Sequence, residues 1–317
     1  MARNFEMLET NGITLRAVVE GDGPLVVLLH GWPQCWYLWR HQIDPLVAAG
    51  YRVAVPDLRG YGGSSRPPDV ADYDIRTLAG DIAGIAQALG EETFKLIGHD
   101  WGCIVAWNTA LLHEDTVSSV MGLSVPFWRL GPAAVNPPGM DEQFWYIRYF
   151  QEGASADADF EADIPATLRA VYYCASADAP RGSFMSQLQS PKGSKILDVL
   201  PQPPVPYPDW LSDEDLDYYV AQFRESGFRG PHNFYRNIPT NNECTPELEH
   251  RRFKQPAAFA AGEFDVGLEF DPEWRKRLLA AFDDMRFVEI VDGAGHWLQM
   301  EKPQQTTDLM LRFLAES

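Results

Sequence analysis

A chain of 317 residues, 45% hydrophobic and 22% charged, has the composition of an ordinary globular protein and is long enough for one large domain or a domain with a substantial insertion. Its formal charge of -19 repels phosphate backbones and anionic membrane surfaces, which argues against nucleic-acid and membrane partners and favours solubility. Residues 1–12 carry no basic segment leading into an apolar run, the longest apolar run (25–29) is far too short to span a bilayer, and Cys35, Cys103, Cys174 and Cys244 are scattered without C-x-x-C spacing. The expectation is a cytoplasmic protein with reduced thiols, without disulfides or a zinc site.

Residues 5–10 and 13–20 flank Asn11-Gly12, a dipeptide suited to a tight hairpin turn. The continuous apolar run 25–29 reads as a buried parallel strand and ends in His30-Gly31-Trp32-Pro33. A helix over 36–49 and a strand over 52–55 follow, then a glycine-rich loop from Asp57 to Ser65 and an amphipathic helix over 75–89. The run 93–97 enters Gly98-His99-Asp100-Trp101-Gly102, after which 103–112 has a helical pattern and 117–125 is one more strand. Asp57 and Arg59 read as a structural turn network, and His30 as a hydrogen-bond partner that fixes its loop.

From about residue 127 to 245 the sequence turns aromatic, acidic and proline-rich, with an acidic loop expected at 155–163 and a rigid proline segment at 201–208. Ser212, with Asp215 three residues on, signals the cap of a helix running through Arg224. Strand and helix patterns then resume: a strand over 256–261, a helix over 274–282, a strand over 287–291 and a closing helix over 304–315. Because parallel neighbours need helical crossovers, this alternation predicts an α/β fold with a mostly parallel, doubly wound sheet. Residues 1–126 and 246–317 form the core, and 127–245 a helical lid inserted into it.

Strand, Gly-x-Asp-x-Gly turn and helix together make a nucleophile elbow, in which flanking glycines let the backbone pass closely and one side chain is forced outward. Here that side chain is Asp100. Further acids and a histidine follow on later loops: Glu263 and Asp265 after the strand over 256–261, then Asp292 and His296 after the strand over 287–291. The loop after the strand ending near Val125 holds no acid, so the partner of His296 is assigned to Asp265, with Glu263 as rival. An aspartate needs no base to attack, being ionised at neutral pH. Attack on an acyl carbon would yield only a labile anhydride, whereas displacement at a saturated carbon yields an ester that water can cleave. The electrophile is therefore an epoxide or an alkyl halide, with His296 as base for the ester-cleaving water and Asp265 orienting the imidazole. Backbone N–H groups of Trp32 and Trp101 are the natural oxyanion donors. An opened epoxide wants O–H donors, and two tyrosines from opposite ends of the lid could grip its oxygen; spacing alone does not choose them among 12.

His30-Gly31-Trp32-Pro33 with Trp36-Tyr37-x-Trp39-Arg40, Gly98-His99-Asp100-Trp101-Gly102, and Gly295-His296-Trp297 followed by Gln299-Met300-Glu301-Lys302-Pro303 resemble, in this order, three motifs of the soluble epoxide hydrolases of the α/β-hydrolase fold. The resemblance spans nearly the whole chain and implies the hydrolase domain alone. By position, the family's ring-opening tyrosines fall on Tyr146 and Tyr235, while Tyr149 and Tyr172 are read as lid packing. Trp32, His232 and Phe234 depart from the family's common Phe, Leu and Trp. The implied activity converts a lipophilic small-molecule epoxide to a vicinal diol through a hydroxyalkyl ester on Asp100, with no metal or organic cofactor. Trp36, Phe127, Trp128 and Phe150 are expected to line the substrate pocket, and the exposed lid is where a homodimer could form. The alternatives are a haloalkane dehalogenase, recognisable by halide release, and a ligand receptor that kept the fold and lost turnover.

Overall fold

The computed structural model describes residues 3–317, so Met1 and Ala2 of the expected core lie outside the described residues. Asn11 and Gly12, both at positive φ (46° and 76°), make the tight turn joining β1 (Phe5–Thr10) to β2 (Ile13–Glu20). Six further strands follow: β3 (Leu25–Leu29), β4 (Arg52–Pro56), β5 (Phe94–His99), β6 (Val117–Leu123), β7 (Ala257–Gly262) and β8 (Met285–Val291). They form one sheet in the order β1-β2-β4-β3-β5-β6-β7-β8, antiparallel only across β1/β2 and β2/β4. Every residue of β3 and β7 is buried, as their uninterrupted apolar sequences require of strands covered on both faces.

From β3 the chain first builds outward to β4, then crosses back to lay β5 on the other side of β3. That reversal makes the carboxyl ends of β3 and β5 a topological switch point, where the loops diverge and leave a crevice. His30 leaves β3 and Asp100 leaves β5 at this point.

The segment expected as one helix over 36–49 is a 3-10 turn (Trp36–Trp39) followed by α1 (Ile43–Ala48). Pro45 explains the break: it has no N–H to donate and its ring would strike the carbonyl one turn back, so it is tolerated only in the first turn of a new helix. Helix α2 (Ile75–Leu89) starts on Asp74, whose side chain accepts from the Arg76 and Thr77 N–H groups, and stops at left-handed Gly90. Helix α3 (Trp101–Leu112) begins directly at the turn after β5. Among the described residues no helix is long and apolar enough to cross a membrane.

Between β6 and β7 lie α4 (Pro132–Val135), α5 (Tyr146–Tyr149), α6 (Ala154–Ala162), α7 (Ile164–Cys174), α8 (Ile196–Val199), α9 (Asp213–Ser226), α10 (Arg229–Arg236) and α11 (Ile238–Cys244). Ser212 and Asp215 make the expected reciprocal capping box of α9. The acidic stretch expected as a loop is instead helix α6. Its acids are engaged by donors: Asp157, which is buried, accepts from His232 (2.7 Å) and Arg236 (2.6 Å), Asp159 from the Tyr149 hydroxyl (2.6 Å), and Glu161 from the Phe228 N–H (2.9 Å). Charge density along the chain suggested solvent; the partners arrive from residues up to 79 positions away. After the insertion come α12 (Val266–Glu269), α13 (Trp274–Ala281), α14 (Leu298–Glu301) and α15 (Pro303–Glu316), around β7 and β8.

Candidate active site

Asp100 holds a backbone conformation, φ 53° and ψ -122°, that non-glycine residues rarely adopt. The surroundings enforce it. A Cβ at Gly98 would run into the Gly102 carbonyl, and one at Gly102 into the carbonyls of Leu29 and His30, so the two glycines let α3 pack directly on the ends of β3 and β5. The turn lifts the Asp100 carboxylate above the sheet, where its two oxygens have different partners. Oδ1 accepts the Trp32 N–H at 2.7 Å, and Oδ2 lies 3.4 Å from His296 Nε2.

His296, on the loop after β8, donates from Nδ1 to Asp265 Oδ1 at 2.9 Å. Asp265, on the loop after β7, is 2% exposed and also accepts the Gly267 N–H at 2.9 Å. The rival Glu263 points away: it pairs with the exposed Arg181 (3.3 Å) and accepts the Gly293 N–H. Burial pulls the His296 imidazole down, but Asp265 and Asp100 outweigh it and raise it to about 10. Burial pushes the Asp100 carboxyl up; hydrogen bonding and charge from His296, with the Trp32 N–H, hold it below the ordinary carboxylate value. The two therefore stand as a carboxylate and an imidazolium. His99 is kept neutral by burial, lowered to about 4, and fixed at 2.8 Å from the His296 carbonyl. His30 serves its loop as expected of it, accepting the Leu58 N–H at Nε2 (3.0 Å).

A cavity of about 600 Å³ opens over this group. Asp100, Trp101, Trp32 and His296 form its floor, and Tyr146, the first residue of α5, and Tyr235, on α10, come from opposite ends of the insertion. Their ring centroids are 5.9 Å apart at 79°. Burial and then the Asp100 charge raise both phenols above their ordinary value, so both hydroxyls keep their protons as donors. Tyr149 and Tyr172 are engaged elsewhere: their hydroxyls donate to Asp159 (2.6 Å) and to the Pro33 carbonyl (2.7 Å).

Of the four expected pocket aromatics only Trp128 lines the cavity. Trp36 is buried on the far side of its 3-10 turn, where its indole donates to the Tyr218 hydroxyl (2.7 Å) and its ring meets Phe5 and Tyr37 edge-on. Phe127 turns into a cluster with Phe253 and Phe282, below the lid. Phe150 sits one layer behind the wall, stacked on His232 (4.2 Å, 16°) and propping Trp32 and Tyr235. Lining residues that sequence reasoning passed over include Phe184, Phe270 and Trp297, with Ile104, Met140, Met185 and Ile238. Trp145, adjacent to Tyr146 in an aromatic run, lines it as well. Among the described residues no group of three or more His, Cys, Asp or Glu is placed to hold a metal ion, and the four cysteines are free.

Residues 24–170 match the family model of the alpha/beta hydrolase fold, the class that this sheet, elbow and loop arrangement define. Along 97% of its length the chain is 41% identical to epoxide hydrolase A of Mycobacterium tuberculosis, covering 96% of that protein. Two solved structures superpose closely. An epoxide hydrolase from an endophytic Streptomyces gives a TM-score of 0.94 at 34% identity, over 99% of this chain and 95% of its own. Epoxide hydrolase A from Mycobacterium thermoresistibile gives 0.91 at 41% identity, over 99% and 98%. The chain belongs to the epoxide hydrolase family of the α/β-hydrolase fold.

Proposed function

We propose that this protein converts a lipophilic epoxide to a vicinal diol in two steps, through a covalent ester on Asp100. The observation that carries the reading is the unequal treatment of the two Asp100 oxygens, one held by the Trp32 N–H and the other turned toward the cavity and His296. Oδ2 attacks a ring carbon, its new C–O bond forming as the ring C–O bond breaks, while Tyr146 and Tyr235 donate hydrogen bonds to the departing oxygen and one of them passes it a proton, leaving a tyrosinate. Oδ1, already in its N–H cradle, becomes the carbonyl oxygen of the ester.

Esterification discharges Asp100 and removes one of the two carboxylates that hold the His296 proton in place. The imidazolium then gives up its proton, which returns to the tyrosinate by way of solvent, and the neutral ring takes one from a water that attacks the ester carbon. The charge that develops on Oδ1 is met by the Trp32 N–H and by the free N–H of Trp101, the first residue of α3. Collapse breaks the Cγ–Oδ2 bond, and the departing alkoxide takes the remaining water proton, which releases the diol and restores the carboxylate beside the imidazolium. Asp265 keeps the imidazole in the tautomer that leaves Nε2 free to act. In this reading residues 127–245 are the cap that supplies the tyrosines, and residues 1–126 with 246–317 are the core that supplies the rest.

Apolar walls from Trp128, Trp145, Phe184 and Phe270 support a lipophilic substrate. The test is H296Q incubated with styrene oxide and examined by intact-protein mass spectrometry. One adduct per chain, mapped to Asp100, is expected; an adduct on another residue, or none, sinks the assignment. A paired assay of wild type for diol from the epoxide and halide from the matching alkyl chloride distinguishes the dehalogenase reading.

A further inference from the structure

Glu301, the last residue of α14, lies outside the reacting group, yet its half-buried carboxylate meets backbone donors alone. Oε2 accepts the N–H groups of Gly295 and Ala177, each at 2.9 Å, and Oε1 accepts that of Trp297 at 3.0 Å. Gly295 and Trp297 flank His296 in the chain, and Ala177 follows α7 in the insertion. The same junction carries three more ties. His296 donates its own N–H to the Ala175 carbonyl (2.9 Å), the Trp297 indole donates to the Tyr172 carbonyl (2.7 Å), and a Cβ at Gly295 would collide with the backbone of residues 175–177. The loop that carries the histidine is thus bolted to the cap, with Glu301 at the joint.

We propose that Glu301 is a positioning residue for the second chemical step: by gripping the N–H groups on both sides of His296 and that of Ala177, it holds the imidazole at the angle from which Nε2 activates the ester-cleaving water. This rests on the reading of Asp100 as the site of the ester. A half-buried carboxylate with no cation beside it is costly to keep charged, and desolvation pushes Glu301 up to about 7 against the pull of its three N–H donors. A glutamine at this site offers one acceptor oxygen and turns an NH2 group toward the remaining N–H donors, so it cannot hold all three. Ring opening uses Asp100 and the two tyrosines, none of which Glu301 touches. Ester cleavage uses His296. A change at Glu301 should therefore separate the two steps.

The experiment is quench-flow with styrene oxide on wild type, E301Q, E301D and H296Q, reading the adduct by intact-protein mass. In E301Q the adduct forms at a rate within about twofold of wild type and decays about 10- to 100-fold more slowly, the loss expected from a misplacement on the ångström scale. E301D, its charge kept and its reach one methylene shorter, slows decay less than E301Q does, and supplies the comparison if E301Q does not fold. Decay at the wild-type rate in E301Q, or formation and decay slowed together as a purely structural role would give, overturns the proposal. H296Q separates the two claims: no adduct there defeats the ester on Asp100 itself, whereas an adduct in H296Q beside normal turnover in E301Q defeats only the role of Glu301.

Discussion

Replacing Tyr146 and Tyr235 with phenylalanine tests the part of the site contributed wholly by the insertion. Both rings are packed, Tyr235 against Trp101 (5.0 Å) and Phe150 (4.8 Å), Tyr146 against Trp145 (4.8 Å) and Phe184 (5.3 Å), and phenylalanine keeps those contacts. Only the hydroxyls are lost. Removing one donor aimed at charge that develops in the transition state costs about 3 kcal/mol, or roughly a hundredfold in rate. Each single variant should therefore lower the rate of ester formation by that factor and leave KM nearly unchanged, because the interaction strengthens only as the ring opens. In the proposed ring opening both hydroxyls meet one oxygen, so the second loss depends on the first, and a double-mutant cycle should show coupling instead of simple additivity. Both phenols stay protonated past their ordinary value of 10, so wild type should show no loss of ring opening from tyrosine ionisation up to pH 10. Single-turnover adduct formation, followed by mass, is the assay. A double variant with an unchanged rate of ester formation would refute the reasoning and move the electrophilic assistance elsewhere in the cavity.

Asp265→Asn should trap the ester much as H296Q does, because an amide favours the wrong imidazole tautomer; a kcat loss on the order of 10³- to 10⁴-fold is expected, and a fall below tenfold would return the role to another acid. Removing Asp157 leaves Arg236 and His232 without their shared buried acceptor, which should cost about 3 kcal/mol in urea unfolding; a D157A variant within 0.5 kcal/mol of wild type would show the group to be solvated, about the level of an ordinary surface change. Stability should also vary with pH in a defined way. Burial lowers His99 and His232 to about 4 from 6.5, so below 6.5 the unfolded chain takes up protons that the folded one refuses and stability falls, Glu301 at about 7 offsetting one of the two. His296, raised to about 10, acts in the other direction: its contribution is complete below 6.5 and is lost as pH rises through 10. The melting temperature should peak near pH 6.5, and a monotonic profile from pH 4 to 10 would contradict these assignments.

Much of the sheet was legible because parallel strands buried on both faces leave continuous apolar runs, as in Leu25–Leu29, and turns leave glycines, as at Gly98 and Gly102. Asp100, Asp265 and His296 could be located because the fold delivers each at the end of a strand. The insertion was harder to read. Helix α6 looked like solvated acid because its partners, His232 and Arg236, lie far along the chain. Trp36, Phe127 and Phe150 failed as pocket residues for a related reason: aromatic content marks burial, but whether a ring faces the cavity or the layer behind it is set by its neighbours in space. Glu301 left a faint signal, an acid closing the run Trp297-Leu298-Gln299-Met300, where a solvated side chain has little reason to be.

The insertion leaves the sheet at β6 and returns at β7, its hydrogen-bonded neighbour. During synthesis β6 therefore emerges as a naked edge, and it stays one until the whole cap has been made and Ala257–Gly262 arrives to pair with it. A contact across so long a loop forms late, after the chain has met the entropy of closing it. Asp265 and His296 lie beyond that point and can join Asp100 only when the edge has been sealed. The proposed catalytic group is thus assembled only after the whole insertion has been made.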